Sequence, residues 1–287
     1  MADVKSIAVI GAGTMGSGIA LTAASAGFQV HQIDVSQDQL DRAAGYHHKT
    51  LSRNVEKERM TQAQADQARE RIAYQTDMAE AKDADWAVEA ATENADLKKK
   101  IFAQMRETFG EGVVLASNTS SISITDLGAS VGDAADRVIG MHFFNPVPVM
   151  KLVEVIRGLA TSEQTTQRTI ELATAMGKTP VPANDRAGFV SNRILMPMIN
   201  EAFYAWMEGV AEPEHIDEIM KLGMAHPMGP LRLADLIGLD VCHDIMMVLY
   251  HELGQDKYFP CPLLRQFVAA GRLGDKTGRG VYDHSNG

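Results

Sequence analysis

Cysteine is scarce in this chain: Cys242 and Cys261 are the two among 287 residues. They form no CxxC pair and no metal-like cluster. A disulfide framework and a thiolate metal centre are therefore not expected, no metal site is proposed, and a reducing, cytoplasmic setting fits best. Positive charge is also in deficit. Lys and Arg number 27 against 37 Asp and Glu, a formal net charge of −10. A chain of that sign is a poor partner for nucleic acid or an anionic membrane. Any anionic ligand must then be met by a local basic patch or by backbone amides. Low-complexity tracts and internal repeats are missing. What is plentiful is apolar residues, at 45%, enough for a large core and, at this length, two domains.

Charge is missing altogether from residues 6–30, SIAVIGAGTMGSGIALTAASAGFQV. By length this run resembles a membrane span or a signal peptide. Five glycines (Gly11, Gly13, Gly16, Gly18 and Gly27) interrupt it, and Asp3 precedes it. Its internal order reads strand, glycine-rich turn, helix, so neither targeting reading is adopted.

Along the chain, Ser6–Ile10, Phe28–Asp34, Asp85–Ala90, Gly112–Ala116, Arg137–Phe143 and Lys151–Ile156 read as buried strands. Between them lie helical stretches, including the polar span 36–72 and Asp96–Phe109. Strands alternating with helices predict a doubly wound, Rossmann-type α/β domain with a mostly parallel sheet. The linker NPVPVM is too short for a parallel crossover, so the last two strands are expected to pair antiparallel. From Gly188 onward the pattern turns helical, over Val190–Glu208, Pro213–Leu222 and Leu231–Tyr250, and methionine-rich. Methionines at this density suit core packing or a subunit interface. The boundary is expected near TPVPANDRAGF, residues 179–189. This divides the chain into residues 1–184, binding dinucleotide, and 185–287, all-α.

Gly11-Ala-Gly13-Thr14-Met15-Gly16 is a GxGxxG turn that follows a strand and opens a helix. The first glycine permits the tight turn, the second lets a pyrophosphate approach, and the third lets helix and strand pack closely. The helix N-terminus offers backbone N–H groups to the phosphates. Asp34, at the end of the next strand, suits the ribose 2′-hydroxyl and so favours NAD over NADP. Lys49, Arg53 and Lys57 are spaced by four and share a helix face. That face is either a seat for an anionic group or an ordinary solvated surface.

In RVIGMHF, His142 stands among large apolar residues, and in KLVEVI, Glu154 is flanked by Leu152 and Ile156. A buried unpaired carboxylate costs several kcal/mol or neutralises. Folding the second strand back beside the first would pair the two groups, and such a pair moves protons near neutral pH. The alternative is a satisfied structural histidine, the reading given to the other eight. Ser117–Ser121, SNTSS, follows an apolar strand at the ligand crevice. It either holds a substrate oxygen or is a polar loop capping a helix.

Together these residues resemble the short-chain L-3-hydroxyacyl-CoA dehydrogenases, in particular the bacterial 3-hydroxybutyryl-CoA enzymes. The resemblance runs from about Ile7 to Tyr282 and rests on VIGAGTMGSGIA, EAATENADLKKKIF, ASNTSS, GMHFFNPVPVMKLVEVI, GFVSNRIL, LGMAHPMGP and GDKTGRGVY. It implies NAD-dependent, reversible oxidation of an (S)-3-hydroxyacyl-CoA thioester in fatty acid metabolism. His142 would be the acid/base and Glu154 its partner, with Ser120 and Asn192 at the substrate. Gly11, Gly13, Thr14, Met15, Gly16, Asp34, Glu93, Lys98, Ser120, Asn145 and Lys276 would face the cofactor. Thr50 and Lys57, with Lys49 and Arg53 beside them, would meet coenzyme A. A homodimer through the helical domain is implied as well. The chain departs from the family at Ala187, where proline usually precedes GF. Two other readings remain: a related dehydrogenase of a free 3-hydroxy acid, such as a sugar acid or carnitine, and a non-catalytic dinucleotide-binding protein.

Overall fold

The uncharged run resolves into β1 (Ser6–Ile10), α1 (Thr14–Ser25) and β2 (Gln29–Ile33) in a computed structural model that describes residues 4–285. Gly27, at φ +104°, ends the helix and turns the chain into β2. The strands that follow are β3 (Ile72–Gln75), β4 (Trp86–Glu89), β5 (Val114–Ser117), β6 (Val138–Phe143), β7 (Leu152–Arg157) and β8 (Thr179–Asn184). Between them run α2 (Gln37–Glu56), α3 (Gln62–Glu70), α4 (Ala95–Thr108), α5 (Ile124–Ala129) and α6 (Glu163–Ala175). The sheet order is β3-β2-β1-β4-β5-β6-β7-β8. All neighbours are parallel except β6 and β7. This is the doubly wound α/β architecture. Strand order reverses between β1 and β4, and ligands bind at the carboxyl ends of the strands beside such a switch point. The core is the near-continuous apolar content of the central strands: Ile7, Val9, Trp86, Val88, Val114, Ala116, Ile139 and Met141. Helices cover both faces of a parallel sheet, so its strands need no polar side.

Three elements differ from the sequence expectation. The span 36–72 is two helices, and Ile72 opens β3 instead of ending a helix. Residues 179–184, read only as part of the domain boundary, form the edge strand β8. There Thr179 and Asp185 donate their N–H groups to Lys151 O and Arg157 O of the neighbouring strand. Pro180 and Pro182 alternate with those bonded positions, so their missing N–H groups fall on the outer edge, where no ladder is lost. Finally, Leu231–Tyr250 is not one helix but two, α9 and α10 below.

The second compact unit begins at Arg186, the first ending at Asp185. It holds α7 (Ser191–Met207), α8 (Pro213–Gly223), α9 (Pro230–Ile237), α10 (Leu239–Leu253) and α11 (Pro262–Ala269). Gly238, at φ +106°, separates α9 from α10. Met196, Ile199, Phe203, Leu239, Met246 and Phe267 form its core, with Ala187 packed at the margin. Of the dense methionines, Met196 and Met246 are buried whereas Met207 and Met224 are exposed. Among the described residues, no helix is long and apolar enough to cross a membrane.

His47, read from sequence as one of several structural histidines, is fully buried on α2. Its Nε2 lies 2.9 Å from the Ser17 carbonyl and its Nδ1 2.8 Å from the Tyr74 hydroxyl. A carbonyl only accepts, so Nε2–H donates and Nδ1 accepts from Tyr74, which fixes one neutral tautomer joining α1, α2 and β3. Burial lowers the imidazole's pKa below its ordinary 6.5, outweighing the bond to Ser17. Below pH 6.5 the unfolded chain then binds the extra proton, so stability falls as the solution is acidified through that point. His47→Gln is expected to remove this share of the acid sensitivity. The measurement is the urea midpoint of both proteins at pH 7.5 and 5.5. Equal acid losses in the two would refute it.

Candidate active site

At the switch point, the turn after β1 is built by contact, not by side chains. Gly11 has φ +113°, and a Cβ there would stand 2.5 Å from Ala90 O. At Gly16 a Cβ would stand 2.0 Å from Gly11 O. Glycine is therefore required at both places, and α1 packs directly on the turn. Gly13 differs: a Cβ there meets nothing within 4 Å, so its surroundings are open.

The start of α1 also differs from its neighbours. Helices α2 to α6 each have a side-chain N-cap, from Ser36, Thr61, Asn94, Ser123 and Ser162. Gly13 supplies none to α1, so the N–H groups of Thr14, Met15 and Gly16 lack a side-chain acceptor. Uncapped amides beside open space at a helix N-terminus suit a pyrophosphate. Asp34 completes the fit. Its carboxylate accepts from Ala12 N at 2.8 Å and Ser36 N at 3.0 Å, which points it across the turn. A carboxylate there accepts from ribose hydroxyls and repels a 2′-phosphate. These residues fit NAD.

The hairpin β6–β7 holds the second constellation. Its antiparallel register sets His142 directly opposite Glu154, so both project on one face of the sheet. His142 Nδ1 lies 2.7 Å from Glu154 Oε2, with both residues buried. A slip of one residue would put Glu154 on the opposite face. The Phe144 ring packs against the imidazole, centroids 4.6 Å apart. Asn145 and Pro146 open the turn, and Asn145 is exposed.

The SNTSS loop proves to be mostly internal framework. Ser117 Oγ donates to Glu89, Asn118 Oδ1 accepts from the Phe143 N–H at 2.9 Å, and Thr119 is fully buried. The Asn118 amide, one of the groups that could have held a substrate oxygen, instead braces the backbone beside His142. Ser120 and Ser121 remain half-buried. Glu93 gathers this loop. Its Oε1 accepts from Thr119 Oγ1 at 2.6 Å, from Ser120 N at 2.9 Å and Oγ at 3.2 Å, and from Ser121 N and Oγ at 3.1 Å. Burial pushes the Glu93 carboxyl up, but the Lys98 charge and the Thr119, Ser120 and Ser121 donors together hold it below the usual range. Lys98 is wholly buried. Its Nζ lies 2.6 Å from Glu89 and 3.5 Å from Glu93 Oε2.

The remaining expected residues are spread more widely. Lys49 and Arg53 are exposed on α2, Lys57 is exposed at its C-cap, and Thr50 is half-buried. Asn192 and Lys276 belong to the second unit. Asn192 is buried in the first turn of α7. The Lys276 ammonium donates to Asp240 at 2.5 Å.

Residues 6–186 match the family model described as 3-hydroxyacyl-CoA dehydrogenase, NAD binding domain, and residues 188–284 match 3-hydroxyacyl-CoA dehydrogenase, C-terminal domain. The chain belongs to the 3-hydroxyacyl-CoA dehydrogenase family. It is 54% identical over 282 residues to a probable 3-hydroxybutyryl-CoA dehydrogenase of Bacillus subtilis (strain 168), covering 98% of each chain. It is 43% identical to the 3-hydroxyadipyl-CoA dehydrogenase of Escherichia coli (strain K12), over 99% of this chain and 60% of that protein. Among solved structures, the (S)-3-hydroxybutyryl-CoA dehydrogenase of Ralstonia eutropha is 51% identical, with a TM-score of 0.95 over 99% of this chain and 100% of the other. The protein is an NAD-dependent oxidoreductase.

Glu89 and Lys178 are among the buried charges of this dehydrogenase that had no part in the sequence expectation. Glu89 ends β4 with no exposure. Its signal was present, because a lone carboxylate in the apolar run WAVEAA poses the same question as Glu154. Lys178 is buried too. Its ammonium donates to the carbonyls of Val147 and Met150, the latter at 2.9 Å, and so clasps the turn between β6 and β7. Burial lowers its pKa. Nothing local in MGKTP marks that role, since both acceptors lie far away in the chain.

Proposed function

We propose that the protein interconverts an (S)-3-hydroxyacyl-CoA, 3-hydroxybutyryl-CoA first among them, and its 3-oxoacyl-CoA. The observation that carries this reading is the 2.7 Å contact between His142 and Glu154 on one face of the hairpin. Bound NAD supplies the acceptor for the hydride leaving C3. The chain's own residues manage the proton and the geometry. A carboxylate only accepts, so the His142 Nδ1–H donates to Glu154 and Nε2 is the nitrogen that exchanges the C3 hydroxyl proton. Glu154 stabilises the imidazolium that forms, and in the reverse direction His142 is the acid. Ser120 and Asn192 are assigned to the reacting oxygen and the thioester carbonyl, which holds the carbon in a near-attack position. Thr14, Met15 and Gly16 meet the pyrophosphate, with Asp34 at the ribose. Glu93, Lys98, Asn145 and Lys276 serve the cofactor side. For Lys98 that service is indirect, since its ammonium is buried.

Lys49, Arg53 and Lys57, with Thr50, are assigned to the phosphates of coenzyme A. The support is a run of exposed cations on a chain of net charge −10. Exchanging all three for glutamine is expected to raise KM for acetoacetyl-CoA on the order of tenfold at low ionic strength, less in high salt, and to leave kcat near wild type. Steady-state loss of NADH absorbance measures this, with free acetoacetate as the second substrate. Reduction of free acetoacetate as fast as the thioester would favour the free-acid reading. We further assign a homodimer through the helical unit, supported by the exposed Ile219, Leu222 and Met224. A cytoplasmic setting is supported by two unpaired, buried cysteines.

A further inference from the structure

Glu89 is fully buried where β4 ends beside the switch point. Its Oε1 accepts from Ala91 N at 2.7 Å and Lys98 Nζ at 2.6 Å, and its Oε2 accepts from Ser117 Oγ at 2.6 Å. The chemistry proposed above makes no use of this carboxylate. Stability is a poor reason for it, because replacing a buried ion pair with apolar groups is often neutral or favourable. Its place in the fold suggests another reason. On one side, Ala90 and Ala91 form the wall against which Gly11 closes. On the other, Lys98 stands within 3.5 Å of Glu93, whose other oxygen holds the Ser120 hydroxyl.

We propose that Glu89 is a positioning residue for the reaction, acting through Lys98 and Glu93 on the Ser120 hydroxyl. With Glu89 balancing its charge, Lys98 leaves Glu93 turned toward residues 119–121. Without that balance, Glu93 becomes the ammonium's nearest anion and is drawn off the loop. The role rests on the function assigned to Ser120 above.

A double-mutant cycle tests it, with acetoacetyl-CoA and NADH as substrates and thermal melting of the ligand-free proteins as a second readout. Glu89→Gln is expected to lower kcat/KM by about tenfold or more. Because Glu89 acts through Ser120, E89Q/S120A should fall no more than about threefold below the weaker single variant. Losses that multiply would overturn the proposal. Lys98→Met removes the ammonium that draws Glu93 off the loop, so E89Q/K98M should melt at or above E89Q and turn over within about threefold of K98M alone. A further loss of about tenfold from E89Q in the K98M background would show that Glu89 does not act through Lys98, and would also overturn the proposal. Should E89Q not fold, Glu89→Asp, which keeps the charge but draws it back from Lys98, takes its place in both comparisons under the same two criteria. A wild type unable to reduce acetoacetyl-CoA would instead overturn the functional reading, and this role with it. An active wild type with multiplying losses overturns this role alone.

Discussion

His142→Gln is expected to lower kcat for acetoacetyl-CoA reduction by about 10²–10⁴-fold, the range that a positioned acid–base group supplies. Glutamine keeps a polar side chain of similar reach, so the hairpin should fold, but it cannot carry the proton. KM for the thioester should change little, because the proton is exchanged only on the way to the transition state. Glu154→Gln should cost at least about 100-fold by a different route, since an amide can still hold the ring but does not stabilise an imidazolium. The two act as a unit, so the double variant should be no slower than the weaker single one. Steady-state kinetics on all three variants checks this. Losses below about tenfold in both singles would sink the acid–base assignment.

The second large effect is expected at Gly16. In Gly16→Val the new Cβ would sit 2.0 Å from the Gly11 carbonyl oxygen. Both partners are backbone, so no side chain can rotate away, and α1 must move off the turn. Overpacking alone costs about 1–3 kcal/mol where side chains can adjust, and a backbone clash should exceed that. The amides of Thr14, Met15 and Gly16 move with the helix, and a displacement near 1 Å can cost about 100-fold. NADH affinity should therefore fall by about 100-fold or more, with a lower melting temperature. A fluorescence titration with NADH settles it, and a dissociation constant within about threefold of wild type would contradict the clash argument.

The readable parts of the fold were those with a short-range physical signature. A glycine turn between an apolar strand and a helix is local, and so is a linker too short for a parallel crossover. From those two features follow the dinucleotide turn and the antiparallel hairpin. The misread parts depended on neighbours. Ile72 read as the end of the polar helical span 36–72, and β3 went unread, because it is a short strand at the edge of the sheet. Residues 179–184 read only as part of the domain boundary because prolines usually break sheets, and only their outward alternation at an edge makes a strand possible. The break at Gly238 was lost within an otherwise helical run. In the SNTSS loop, composition suggested substrate-facing hydroxyls, whereas Glu89 and Phe143 take up Ser117 and Asn118.

What the sequence determined by itself was a chemical inventory and its periodicity: a glycine turn, an acid after the second strand, and a histidine and a glutamate in apolar runs. Periodicity is a property of near neighbours, so it survives without a structure. Tertiary structure decided the pairing. The register of β6 against β7 brings Nδ1 and Oε2 to 2.7 Å. Lys98 could have met either Glu89 or Glu93, and it stands 2.6 Å from one and 3.5 Å from the other. The energy of a buried charge depends on distances of a few tenths of an ångström in a medium that screens poorly, and those distances exist only once the chain has folded.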